Sequence, residues 1–201
     1  MSQHALRAPN DQVRAVYERL GDLVDQSDDA FVEEGPAVLQ RAMADPEFFD
    51  GVEADHAPSD DYTRTKVVGD PGRHVIRYME WPPGYSLPAH EHHGRPCFEV
   101  LVDGSLHVVD MAAEPVATDA EDDTDDRYTL SVVDADVTDP GEAAVVDPRE
   151  NEVHAVYSPV RSRSLHVYPD DECFSYGYVA TGETTTDGDD VYARERFDFD
   201  D

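Results

Sequence analysis

The stretch Gly84-Tyr-Ser-Leu-Pro-Ala-His90-Glu-His92-His93-Gly-Arg-Pro-Cys97-Phe-Glu-Val-Leu-Val-Asp-Gly104 reads as two strands around a turn. Successive side chains of a strand alternate faces, so His90 and His92 project to one side, close enough to bind one ion. Gly94-Arg95-Pro96 reads as the turn and Cys97 to Val102 as the following strand. Paired as a hairpin, the two strands bring Cys97 back beside the two histidines. A lone His-x-His is more often a wet hairpin than a ligand pair; the flanking glycines and the motifs downstream favour the metal reading.

Composition narrows the class of protein around this stretch. The 201 residues suffice for one domain with a sizeable core. Fifteen Lys and Arg against 46 Asp and Glu give a net charge of −31, which repels nucleic acid and anionic membranes. Disordered chains lack aromatic and β-branched residues, whereas this one has ten tyrosines, seven phenylalanines and many valines. A folded, Asp-rich chain whose single lysine is Lys66 resembles the proteins of salt-in halophiles, where ions screen self-repulsion. Unfolding or loss of activity in dilute buffer is expected, and a melting temperature unchanged between low and multimolar salt would contradict it. Cys97 and Cys173 are too few for a disulfide framework. No run of about 18 apolar residues occurs and Met1 to Asn10 has no apolar signal region, so the cytoplasm is the expected location. Nothing in the chain points to a protein partner.

Residues 1–11 are expected to be loose, with Asn10 or Asp11 as a helix N-cap. Val13, Val16, Tyr17, Leu20, Leu23 and Val24 then follow helical spacing. A second helix is predicted from Glu34 or Pro36, carrying Val38, Leu39, Ala42 and Met43 to the Asp45-Pro46 stop. Beyond it the chain turns to strands: Tyr62 to Val68, Arg73 to Trp81, Ser105 to Met111, Tyr128 to Val133, Ala143 to Val146, Glu152 to Tyr157, Ser162 to Tyr168 and Phe174 to Val179. Residues 112–127, with Glu121-Asp-Asp-Thr-Asp-Asp126, read as a solvated loop and not a metal site. Strand spacings of about ten residues with Pro, Gly and Asp turns predict a mainly β protein, an antiparallel barrel or sandwich fronted by two short helices. The expected organisation is one domain over 12–180, with helices in 12–47 and a β-barrel in 62–180. An acidic tail, 181–201, follows with one further strand, Asp190 to Phe197, at the sheet edge.

Gly, five residues, His-x-His, four residues, Cys, six residues, Gly resembles the first motif of the cupin superfamily, small jelly-roll barrels that hold a metal in their mouth, with Cys97 where most cupins have glutamate. Asp147-Pro148 followed by His154 resembles the second motif, with Asn151 where a glycine is usual. Three neutral imidazoles leave a divalent ion its full charge, which suits an anionic ligand such as a thiolate, but they do not name the metal. Ser164, His166 and Tyr168 occupy alternate strand positions and share one face, forming a hydrogen-bond relay of hydroxyl, imidazole and phenol.

With these motifs the chain resembles the cysteine dioxygenases, thiol dioxygenases within the cupins, over roughly residues 12–180. The His-x-His with a cysteine five residues later matches His90, His92 and Cys97; the third ligand matches His154; the Ser-x-His-x-Tyr relay matches Ser164, His166 and Tyr168, beginning ten residues after His154 on a shortened hairpin. The family's Tyr-x-Arg matches Tyr62 and Arg64, the arginine 26 residues before His90. The resemblance implies iron(II) on His90, His92 and His154, L-cysteine and dioxygen as reactants, and cysteine sulfinate as product. It also implies Arg64 on the substrate carboxylate, a Tyr62 hydroxyl contact, and Tyr168 as the phenol that hydrogen-bonds the reacting groups. In some members the cysteine and tyrosine join in a thioether, for which Cys97 and Tyr168 are the matching pair. Arg64 favours L-cysteine over 3-mercaptopropionate, whose dioxygenases carry glutamine there. A zinc cupin with hydrolase or lyase chemistry and a non-catalytic ligand-binding cupin stay open. His93, His56, His74 and His107 are expected outside the ligand set, Cys173 as a buried small hydrophobe, and Trp81 as core.

Overall fold

The computed structural model describes residues 8–70, 72–116, 126–150, 152–170 and 174–198. The first residues, most of the acidic run from Glu121 to Asp126, Asn151, Cys173 and the chain end lie outside the described residues. Two helices open the chain, α1 (Asp11–Gln26) and α2 (Asp28–Met43), followed by a 3₁₀ turn over Pro46–Phe49. Asn10 caps α1, its side chain accepting from Val13 N. Ser27 ends one helix and starts the next: its N–H donates to the Leu23 carbonyl while its hydroxyl accepts from Ala30 N. The second helix therefore begins at Asp28, well before the predicted start at Glu34 or Pro36, and Pro36 lies inside it. An interior proline costs a helix about 3 kcal/mol. Burial of Ala30, Phe31 and Leu39 on the sheet offsets that cost. Gly35 makes the approach possible, because a Cβ there would stand 2.6 Å from the Phe98 ring.

Among the described residues eleven strands follow: β1 (Thr63–Gly69), β2 (Val75–Trp81), β3 (Tyr85–Glu91), β4 (Cys97–Asp103), β5 (Leu106–Pro115), β6 (Arg127–Thr138), β7 (Ala143–Val146), β8 (Val153–Ser158), β9 (Ser162–Tyr168), β10 (Phe174–Thr184) and β11 (Asp190–Asp198). They form two antiparallel assemblies. One is a five-stranded sheet in the order β1-β2-β9-β4-β7; the other closes on itself as β10-β11-β6-β5-β8-β3. The chain is thus mainly β, as its patterning predicts, with a jelly-roll alternation between assemblies.

Three expectations about pairing are corrected by the register. β3 and β4 do not form a hairpin: β3 pairs with β8 and β10, whereas β4 pairs with β7 and β9. The segment after His154 is no shortened hairpin either, since β8 and β9 also belong to different assemblies. And β11 is not an edge strand, because it bonds to β10 on one side and β6 on the other, closing the ring. Gly-Pro turns serve strand switches between sheets as well as they serve hairpins. Both ends of the predicted 112–127 loop are strand instead, β5 running to Pro115 and β6 starting at Arg127.

Alternation divides the five-stranded sheet into an outer and an inner face. Ile76, Tyr78, Phe98, Val100, Leu165 and Val167 pack outward against Leu20, Leu23, Phe31 and Leu39 of the helices. Val75, Met79, Trp81, Cys97, Leu101 and Tyr168 pack inward with Leu106 and Val156. No helix among the described residues is long and apolar enough to cross a membrane.

Candidate active site

The inner face of the five-stranded sheet and the adjoining strands of the ring enclose a small cavity of about 90 Å³. The ring supplies its histidines. His90 of β3 is paired in register with His154 of β8, and His92 follows one residue beyond the end of β3. One ligand nitrogen from each of His90, His92 and His154 lies within 4.8 Å of the others. The ring centroids are 4.2 Å apart for His90 and His154, 5.1 Å for His92 and His154, and 5.2 Å for His90 and His92. His90 Nδ1 lies 3.0 Å from the Pro88 carbonyl, which orients the ring and leaves Nε2 for an ion.

Electrostatics favours the neutral imidazoles that a metal requires. Burial in the cavity, reinforced by the neighbouring His92, pushes His90 down to about 3. Burial, with the charges of His90, His92 and His166, also holds His154 well below the usual histidine range, against an opposing contribution from the Glu152 backbone. Held neutral, the imidazoles keep the lone pairs with which they could bind a divalent ion. The donor set, its convergence and its neutrality fit a resident metal.

The strand carrying His90 is clamped from its other face. Tyr178 donates its hydroxyl to Glu91 Oε2 at 2.7 Å, Ser175 donates to the Glu91 carbonyl at 2.6 Å, and Arg194 of β11 pairs with the same carboxylate. Burial and the Glu91 carboxylate both raise the Tyr178 phenol, so it remains a donor. Largely buried, this network fixes the strand between His90 and His92.

The five-stranded sheet supplies the facing wall. Ser164 Oγ lies 2.8 Å from His166 Nε2, and the Tyr168 hydroxyl 3.4 Å from His166 Nδ1. Trp81 Nε1 donates to Ser164 Oγ at 2.9 Å. Arg64, on β1, lines the cavity with its guanidinium 5.6 Å from the Tyr168 ring centre. Tyr62 stands just before β1 and stacks on Trp81 at 4.9 Å. Tyr168 in turn packs 5.6 Å from His92, joining the two walls. Cys97 also lines the cavity, and the rung next to Phe98 and Val167 in the β4–β9 register places it across from Tyr168.

All nine residues singled out from the sequence therefore line or border one cavity, although Cys97 arrives there from the opposite sheet and not through a hairpin. Among the described residues the remaining histidines stay outside it. His93, at φ 59 in the turn, packs against Phe174 and Tyr176. His74 stacks on Tyr17 beneath α1, and His56 pairs with Glu80. Two wall residues escaped the sequence reading. Trp81 is core, as expected, but its N–H also engages Ser164. Glu99 lines the cavity with its carboxylate 2.8 Å from His166. Its position two residues after Cys97, and so on the same strand face, is the signal that could have found it.

Three imidazoles, two buried and one half-buried, converging inside a jelly-roll of antiparallel strands make this a cupin-type fold with a candidate metal site. The family model described as cysteine dioxygenase type I matches residues 4–177, and the chain belongs to that family of cupin-type thiol dioxygenases. Similar solved structures include a cupin superfamily protein from Desulfitobacterium hafniense, at 14% identity over 58% of this chain and 84% of that one, with a TM-score of 0.39. A RmlC-like cupin from Shewanella frigidimarina matches at 16% identity over 60% of this chain and 86% of that one, TM-score 0.42. KdgF from Halomonas sp. matches at 16% identity over 60% and 89%, TM-score 0.41. Among curated proteins none matches the chain.

Proposed function

We propose that this protein is an iron(II)-dependent dioxygenase that oxidises L-cysteine to cysteine sulfinate. The observation carrying this reading is the placement of three converging imidazoles opposite Arg64 and Tyr168 in one enclosed cavity. His90, His92 and His154 would hold the iron, which when bound supplies the redox centre where thiol and dioxygen react. In the net reaction R–SH and O₂ give R–SO₂H, so both oxygen atoms end on sulfur and no external reductant is consumed.

The chain's own groups bind and orient the substrate. The planar Arg64 guanidinium offers parallel N–H donors to the carboxylate, a charge-assisted pair that fixes one end of a small amino acid. Tyr62, held by stacking on Trp81 and 5.5 Å from Tyr85, borders that end. Tyr168, whose ring lies 5.6 Å from both the Arg64 guanidinium and the His92 ring, is proposed to hydrogen-bond the sulfur-bearing end. Met79, Trp81, Leu87 and Val156 make much of the remaining wall apolar, so these polar contacts operate with little competing water.

Cys97 and Tyr168 are proposed to join as a thioether. The S–H of Cys97 and a ring C–H of Tyr168 are lost, dioxygen accepts the two hydrogens as peroxide, and a C–S bond forms. Intact-protein mass spectrometry should find a species two hydrogens lighter than the plain sequence; a mass equal to the sequence in catalytically cycled protein argues against the link.

Oxygen uptake by iron-loaded protein in multimolar salt tests the main reading. One O₂ consumed per cysteine sulfinate formed is expected, with a clear preference over 3-mercaptopropionate because Arg64 suits the α-amino acid. Preference for 3-mercaptopropionate would overturn the substrate assignment, and absence of uptake the dioxygenase reading.

A further inference from the structure

Glu99 holds none of the roles assigned above, yet it sits within the relay. It is 6% exposed and lines the cavity. The β4–β9 register puts it directly across from His166, whose other neighbour on the same rung is Arg77 of β2. Its Oε2 lies 2.8 Å from His166 Nε2, the same nitrogen that Ser164 Oγ approaches to 2.8 Å. Its Oε1 is buried with no hydrogen-bond partner among the described residues.

A neutral imidazole has one N–H and one lone pair, and an ionised carboxylate can only accept. If Nε2 carried the lone pair, it would face the carboxylate lone pairs in a buried place, where an unmatched contact of that kind is costly. Nε2 facing Glu99 therefore carries the hydrogen. Nδ1 is left as the acceptor, and Nδ1 is the atom beside the Tyr168 hydroxyl.

We propose that Glu99 is a positioning residue that locks His166 in its Nε2–H tautomer and so sets the direction of the relay. Tyr168 then donates its O–H to His166 Nδ1, and the phenolic oxygen meets the cavity as an acceptor. Ser164, which accepts from Trp81, acts as a second acceptor at Nε2 and not as the source of a proton. With Glu99 removed, the Ser164 hydroxyl is released to donate to Nε2. The imidazole moves to the Nδ1–H form, and Tyr168 turns its O–H into the cavity. The tautomer follows from geometry alone; only its consequence for turnover rests on the thiol-dioxygenase reading.

Long-range ¹H–¹⁵N NMR of the full-length, ¹⁵N-histidine-labelled protein reads the tautomer directly, with His166 assigned from its absence in His166→Gln. At mildly alkaline pH the wild-type protein should show the Nε2–H form, Ser164→Ala should keep it, and Glu99→Leu should convert it to Nδ1–H. A wild-type Nδ1–H form, a switch caused by Ser164→Ala, or an unchanged tautomer in Glu99→Leu would each overturn the proposal. If Glu99→Leu does not fold, the wild-type and Ser164→Ala spectra still decide. In the iron-loaded enzyme, Glu99→Leu should lower kcat roughly tenfold or more, as misdirecting a positioned proton-handling group does. KM for the thiol should stay unchanged. Absence of activity in every form would count against the proposed function and leave the tautomer assignment standing.

Discussion

The five-stranded sheet and the closed ring build the same cavity from opposite physical circumstances. The sheet is covered twice, by helices outside and by the cavity inside, and every residue of β2 is buried. The ring has an outer face open to solvent, and β6 is exposed or half-buried along all but its last residue. The three converging imidazoles come from the ring, at the rim where β3 and β8 pair; the hydrogen-bonding wall comes from the sheet. A polar relay needs a dry setting in which Ser164, His166 and Glu99 meet one another and not water. Ligands, in contrast, need only convergence and neutrality. The division suggests that damage to either half should have a distinct signature.

Breaking the ring's half should have the largest effect. His154→Ala removes the only ligand contributed by β8, so metal content measured after iron loading should fall to background and oxygen uptake with it. Retention of stoichiometric metal would mean that the three imidazoles do not act as a set. On the sheet's half, Tyr168→Phe should leave metal content intact and lower kcat by about 10², the low end for loss of a positioned proton-handling group. Arg64→Ala should act on binding instead. Loss of a hydrogen-bonded charged contact of about 1.5–3 kcal/mol corresponds to roughly a 10- to 150-fold rise in KM for cysteine, with kcat less affected.

The smallest effect is expected outside the cavity, where α1 covers the turn leading into β2. His74 is buried there, its Nε2 2.7 Å from the Tyr17 carbonyl, and burial holds it below the usual histidine range. A histidine whose folded value is lowered stays neutral in the native state while the unfolded chain takes up a proton. Its contribution is therefore complete above about pH 6.5 and is lost as the pH falls from there towards the folded value. Melting curves of wild type and His74→Gln should differ by a few degrees at about pH 8 and converge towards pH 5. A constant difference across that range would place the effect in packing alone.

How much of this was readable in the sequence follows from the range of each signal. Alternation is local, so His90, His92, Ser164, His166 and Tyr168 could be assigned to faces of strands from spacing alone, whereas Arg64 was found only through the family resemblance. Pairing is not local. The Gly94-Arg95-Pro96 turn is equally compatible with a hairpin and with a strand leaving for another sheet, and only the whole jelly-roll selects the second. The start of α2 was hidden for a similar reason: Pro36 signals a first turn, and the packing of Gly35 on Phe98 that lets the helix run through it is a tertiary fact. β11 looked like an edge because its partners, β6 and β10, are far from each other in sequence. That strand carries Arg194 onto Glu91, and so it helps to hold the ligand strand although it lies beyond the matched family region. Glu99 was legible in principle, but an acidic residue in a chain with 46 of them attracts no attention until its burial is seen.

The meeting of the two halves on one small molecule is tested most directly by a crystal structure of the metal-loaded protein with L-cysteine, grown without oxygen. The cysteine sulfur should lie within bonding distance of a metal on His90, His92 and His154, and the carboxylate should form paired hydrogen bonds with Arg64. A thiol bound away from the three imidazoles, or a carboxylate held by groups other than Arg64, would contradict it.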